Sequence, residues 1–168
     1  MPDHWVFISI GSNLGDPVRN CCRGIEALCA GPDVRLLAQS PFYWTEPVDY
    51  EDQDWFANAA IKIETQLPPL QLLQKMQAIQ QSCGRKEQAI RFGPRILDLD
   101  IILYEDRVLN IPGLIIPHPR MHKRRFVLQP ICDIDPSVMH PVINKNMQSL
   151  LDQVIDNGQE IKPCSSGC

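Results

Sequence analysis

An α+β fold, an antiparallel sheet with helices packed on it, is what this 168-residue sequence predicts. Three observations carry that expectation. Runs rich in β-branched and aromatic residues recur at Trp5–Ile10, Val34–Thr45, Ala57–Glu64 and Ile96–Tyr104. Two stretches with apolar residues three and four apart lie between them, one after Asp16 and one after Pro68. The order is therefore β-α-β-β-α-β, with glycine or proline at most of the junctions.

Each element has its own warrant. Trp5–Ile10 alternates and ends at the loop signal Gly11-Ser12-Asn13-Leu14-Gly15. Asp16 is placed to cap a helix with Pro17 at its first position. Cys21, Cys22, Ile25 and Leu28 form its apolar stripe, and Gly31-Pro32 ends it. Val34–Thr45 reads as one extended strand, followed by an acidic loop from Glu46 to Asp52. Ala57–Glu64 is a third strand. Pro68–Cys83 has helical periodicity through Leu70, Leu73, Met76 and Ile79, and Gly84 closes it. A basic loop, Arg85–Pro94, leads to the strand Ile96–Tyr104. From Arg107 onward a short helix and a C-terminal helix at Ser149–Val154 are expected. This order is the split βαβ, ferredoxin-like βαββαβ pattern with C-terminal additions. Residues 1–156 are read as one domain and 157–168 as a disordered tail.

Composition narrows the function class. A net charge of −4 implies no general affinity for nucleic acid. The N-terminus has no basic region, and Val6–Ile10 is far too short to span a membrane, so a cytoplasmic protein is expected. The seven cysteines include no Cys-x-x-Cys pair and are read as reduced thiols.

The chemistry concentrates in Arg91–Tyr104. Asp98 and Asp100 sit two apart on a strand and so share one face, roughly 6–7 Å apart, while Leu97, Leu99 and Ile101 take the other. Two like charges that close require a cation between them. Arg95 could serve, but Mg²⁺, which is held by one or two carboxylates plus substrate phosphates, suits the pair better. Arg95 and Arg91, flanking Phe92, can clamp phosphate. A second basic run, His118–Phe126, joins donors to an aromatic ring. Gly11–Gly15 lacks the lysine of a Walker A motif, and a tight turn with Asn13 satisfying backbone groups is the favoured reading there. Together a carboxylate pair, arginine-bearing loops and loop aromatics suit a nucleotide polyphosphate and a flat heterocycle.

The stretches GSNLGD, PFYWTEPV, FANAAI, RFGPRILDLDIILY and PHPRMHKRRFVLQPI, in that order and spacing, resemble the 6-hydroxymethyl-7,8-dihydropterin pyrophosphokinases of folate biosynthesis from about Trp5 to Leu151. The resemblance implies a ferredoxin-like fold and transfer of pyrophosphate from ATP to a pterin hydroxymethyl group, releasing AMP. It implies two Mg²⁺ on Asp98 and Asp100, with Arg85 and Arg95 as further catalytic groups. Thr45, Val48, Phe56, Asn58, Phe92 and Phe126 match the pterin site, with Phe56 and Phe126 sandwiching the ring. Gln77, Arg85, Arg95, Ile101, His118 and Arg124 match the ATP site. Two departures stand out: Glu87 where many relatives carry arginine, and Phe56 where tyrosine is common. The implied partners are small-molecule substrates, with no nucleic acid and no membrane; a monomer is expected, with a folate-pathway enzyme as a candidate partner.

Two rival readings are weaker. A Gly-Ser plus Asp-x-Asp nucleotidyltransferase places its aspartates soon after the Gly-Ser, whereas here they lie far beyond Ser12. An RNA-binding module on a similar frame shows aromatics on its central strands, where this chain puts aspartates.

Overall fold

A computed structural model describes residues 3–47, 52–84, 94–154 and 159–168. The chain runs β1 (His4–Ser12), α1 (Pro17–Leu28), β2 (Val34–Gln39), β3 (Tyr43–Thr45), β4 (Phe56–Thr65), α2 (Pro69–Ser82) and β5 (Asp98–Tyr104). A hairpin of β6 (Leu109–Ile111) and β7 (Leu114–Ile116) follows, then α3 (Arg125–Ile134), α4 (Met147–Gln153) and β8 (Ile161–Pro163). The main sheet has the order β5-β1-β4-β3-β8, with β2 also paired to β4. Every pairing is antiparallel. That is the ferredoxin-like arrangement the sequence predicts.

Local chemistry accounts for the helix starts. The Asp16 carboxylate accepts from the Arg19 N–H, and Pro17 opens α1 without wasting a donor. Asn146 does the same for α4 through the Ser149 N–H, so that helix starts two residues before its expected boundary. The strand expected over Val34–Thr45 is broken in two. Pro41 has no N–H to give the ladder, so Ser40 bonds Ala60 through its backbone N–H and its hydroxyl before β3 resumes on β4.

The sheet buries both faces, but unequally. On one face Val6, Ile8, Ile10, Ala57, Ala59, Ile61, Ile63, Leu97 and Leu99 pack against α1 and α2. Gly24 lets α1 come close, because a Cβ there would stand 2.8 Å from Leu97. On the other face Phe7, Ala60 and Ile102 meet Val127, Leu128 and Ile131 of α3 and Met147 and Leu150 of α4.

The C-terminal region departs from expectation. The tail read as disordered from residue 157 carries β8, which pairs with β3 in the register Thr45↔Ile161. Cys168 forms a disulfide with Cys22 on α1, with the two Cα atoms 5.5 Å apart. The reading of all seven cysteines as reduced thiols is therefore corrected for these two. Cysteine spacing could not show a bond between residues 146 positions apart, because the tail reaches α1 only after pairing with β3. The β6–β7 hairpin is a further element without a sequence-based expectation. Among the described residues no helix is long and apolar enough to cross a membrane.

Candidate active site

Strand register builds the site. Across β5, β1, β4 and β3, one row reads Asp98, Gly11, Asn58, Tyr43. The next row toward the α3 side reads Asp100, Ser9, Ala60. In the other direction Phe56 pairs with Thr45. These residues share the face of Phe7, Ala60 and Ile102 by the two-residue alternation of strands. Each strand thus changes character along its length. It is apolar where α3 covers it and carries carboxylates, glycine, amide or hydroxyl where α3 stops. Asp98 is half-buried and Asp100 exposed, while Leu97 and Leu99 are sealed beneath. With strands ~4.8 Å apart, the Asp98 and Asn58 backbones lie ~10 Å from each other across Gly11, about the span of a bicyclic heterocycle with a short arm.

Hydrogen bonds hold this row. Asn58 is buried, and its Nδ2 donates to the Thr45 hydroxyl at 2.5 Å. Asn13, also buried, ties three segments: its Oδ1 accepts from the Arg95 N–H at 2.8 Å. Its Nδ2 donates to Gln53 Oε1 and to the Asp54 carbonyl, each at 3.0 Å. Its own N–H donates to the Arg95 carbonyl at 3.0 Å. Asn13 thereby fixes the chain just before the aspartate strand and just before β4. Its reading as a residue that satisfies backbone groups holds, but the groups belong to remote loops. Gln80 of α2 accepts the Leu99 N–H at 3.1 Å and so anchors the edge strand β5.

Beside β5 lies the second basic run. His118 N–H donates to the Ile102 carbonyl at 3.0 Å. His118 Nδ1 accepts from the Arg120 N–H at 3.2 Å, so the neutral ring carries its proton on Nε2. Burial, then Arg124 and Arg120, push its pKa down from 6.5 to about 4. It is a neutral donor at ordinary pH. Arg124 stands at the N-cap of α3, its guanidinium carbon 5.5 Å from the Phe126 ring centroid. Phe126, half-buried, packs on the Phe7–Ala60–Ile102 face in the first turn of α3. Two turns further along, Asp133 accepts from the Tyr43 hydroxyl and from Gln129 Nε2, which fastens α3 to β3.

The depressed His118 pKa has a consequence for stability. Below pH 6.5 the unfolded chain takes up a proton that the folded ring refuses until about pH 4. The stabilisation is thus complete above 6.5 and is lost as pH falls toward 4, by up to about 1.4 kcal/mol per pH unit. Urea melts at pH 7, 5.5 and 4.5 should show a steeper loss for the natural chain than for His118→Gln. Equal slopes would assign the acid sensitivity elsewhere.

Of the residues singled out in the sequence, Asp98, Asp100, Asn58, Thr45, Phe56 and Phe126 come together on one face. Arg95, His118 and Arg124 lie at its borders. Gln77 and Ile101 do not join that face: Gln77 is exposed on α2, and the Ile101 side chain is buried in the α1–α2 core. Gln80, on the same helix as Gln77, lies alongside β5. Val48, Arg85, Phe92, Arg91 and Glu87 lie outside the described residues. Gly11 and Asn13 were missed as site-building residues. Their partners are 47 and 82 positions away, and only the turn signal of Gly11–Gly15 marked the place.

Residues 7–136 match the family described as 7,8-dihydro-6-hydroxymethylpterin-pyrophosphokinase (HPPK). The chain belongs to that family. A 2-amino-4-hydroxy-6-hydroxymethyldihydropteridine pyrophosphokinase of Pseudomonas aeruginosa is 40% identical over 136 residues, 81% of this chain and 83% of that one. The folic acid synthesis protein fol1 of Schizosaccharomyces pombe is 40% identical over 152 residues, 90% of this chain and 21% of its own length. The chain thus spans about a fifth of such fungal relatives, fol1 of Pneumocystis carinii included at 21%. A crystal structure of Plasmodium falciparum HPPK-DHPS with pteroate superposes with a TM-score of 0.70 at 13% identity, over 90% of this chain and 42% of that one. At that identity the likeness speaks for the HPPK fold alone.

Proposed function

We propose that this protein transfers pyrophosphate from ATP to the hydroxymethyl group of 6-hydroxymethyl-7,8-dihydropterin and releases AMP. One observation carries the reading: the in-register row Asp98–Gly11–Asn58 sets a carboxylate and a buried amide on either side of a residue with no side chain, which suits a cation at one end and a heterocycle at the other. The family membership supports the same reaction.

The residues fit a divalent cation that arrives with its nucleotide. Asp98 and Asp100 offer hard oxygen donors on one face. Among the described residues no third carboxylate, histidine or cysteine completes a cluster with them. Two carboxylates alone match Mg²⁺, which keeps its other positions for water and phosphate oxygens. When bound, two such ions neutralise the phosphates and lower the pKa of the attacking hydroxyl.

The chain's own side chains do the rest. Asn58 reads the pyrimidine edge, while Phe56 and Phe126 stack on the ring. Thr45 fixes the Asn58 amide. Arg95 and Arg124 meet the charge of the moving group, and His118 offers its Nε2–H beside the nucleotide. Gln77 and Ile101, which the register does not bring to that face, belong to the proposed nucleotide site through the family likeness alone. Arg85, Val48 and Phe92 belong to the proposal through the family likeness. The hydroxymethyl oxygen attacks the β-phosphorus, the α–β bridging oxygen leaves with AMP, and the hydroxyl proton goes to solvent. The described site residues meet within one chain, which supports a monomer. An ATP-consuming step supports a cytoplasmic location.

Mixing the protein with ATP, Mg²⁺ and the pterin should yield AMP in step with pterin consumption. AMP release without pterin dependence would sink the assignment.

A further inference from the structure

Gly11 stands where neither a turn nor a positive φ calls for glycine. It lies inside β1, and the glycines with positive φ among the described residues are Gly15, Gly84 and Gly113. Glycine within a strand is unfavourable in itself, and it often marks a close approach. A Cβ at position 11 would come 2.5 Å from Asn58 Oδ1. Its next neighbours, the Ala57 carbonyl at 3.5 Å and Asn58 Cγ at 3.6 Å, are ordinary contacts. The obstruction is thus the end of one side chain and not the sheet. A larger residue would be admitted by turning Asn58 away, with the backbone left in place. Asn58 has little freedom to turn at no loss, because it is buried and donates to Thr45.

We propose that Gly11 is a specificity-determining positioning residue. Its missing side chain lets the Asn58 amide lie against β1, clamped between Thr45 and Gly11. In that orientation Asn58 presents its carbonyl oxygen and its second N–H side by side. A 2-amino-4-oxo pyrimidine edge is complementary, with donors at N3 and the 2-amino group and an acceptor at O4. A 2,4-diamino edge sets a donor against the amide N–H and is rejected. The inference deepens the proposed function and rests on it.

Steady-state kinetics with varied pterin test it in Gly11→Ala, Asn58→Ala and the double variant. Gly11→Ala should raise the pterin KM roughly tenfold or more, the loss expected from a misplaced buried hydrogen-bonding group. Its kcat and KM for ATP should change far less. Discrimination against a 2,4-diaminopteridine inhibitor should narrow. The double variant should match Asn58→Ala in pterin KM and melting temperature, because the obstructed atom is gone. Full multiplicative loss in the double variant, or an unchanged pterin KM in Gly11→Ala, would overturn the proposal. If Gly11→Ala does not fold, the comparison of Asn58→Ala with the double variant decides, since further loss there means that Gly11 acts independently of Asn58. Failure of the functional reading looks different: the natural chain would make no pterin-dependent AMP, or Asn58→Ala would leave the pterin KM unchanged, and the inference would fall with it.

Discussion

Replacing Asp98 or Asp100 by alanine is expected to abolish turnover while the fold survives. Asp98 is half-buried and Asp100 exposed, so neither fills the core. β5 is held by Leu97, Leu99 and Ile101 beneath it and by its pairing with β1. On the proposed reaction, each variant removes one hard ligand from an ion that neutralises several phosphate charges at once. A loss of at least a thousandfold in kcat, about 4 kcal/mol of transition-state stabilisation, is the expected scale. Asp98→Asn and Asp100→Asn should fail nearly as badly, because a neutral amide keeps the shape but not the charge. Circular dichroism and melting within a few degrees of the natural chain would show an intact fold. Near-normal activity in either alanine variant would remove the carboxylate pair from the chemistry.

Phe126→Ala should weaken pterin binding by about 1–3 kcal/mol, the order expected for one stacked ring. Phe126 projects from the first turn of α3 onto the face that also carries Asn58 and Asp100. Because it also packs on the Phe7–Ala60–Ile102 cluster, alanine will lower stability as well. Phe126→Leu separates the two effects, keeping most of the apolar volume while losing the ring face. ATP affinity should move less. The Arg124 guanidinium over the ring loses only one half-buried cation–π contact, about 1 kcal/mol. Calorimetry with pterin and with an ATP analogue ranks the two losses. If the ATP analogue suffered more than the pterin, the ring would belong to the nucleotide.

The sequence by itself determined the βαββαβ order of the core and which residues share a face of its strands. Alternation and three-four spacing are local properties, and β1, α1, β4, α2 and β5 fell within a residue or two of their expected bounds, α1 ending three residues before Gly31. The Asp98/Asp100 pair was legible for the same reason, since a two-residue spacing on a strand dictates a shared face. The tertiary structure decided what depends on pairing between distant segments. Register put Gly11 between Asp98 and Asn58, and no local pattern encodes that neighbourhood. It placed Asn13 against Arg95 and Asp54, split the second strand at Pro41, and put Gln77 and Ile101 off the polar face. It also turned a polar, helix-poor tail into a strand beside β3. Tail residues with little apolar surface look unfolded when read alone. Here the Thr45↔Ile161 pairing and the Cys22–Cys168 bond supply from outside the segment the order its own residues do not.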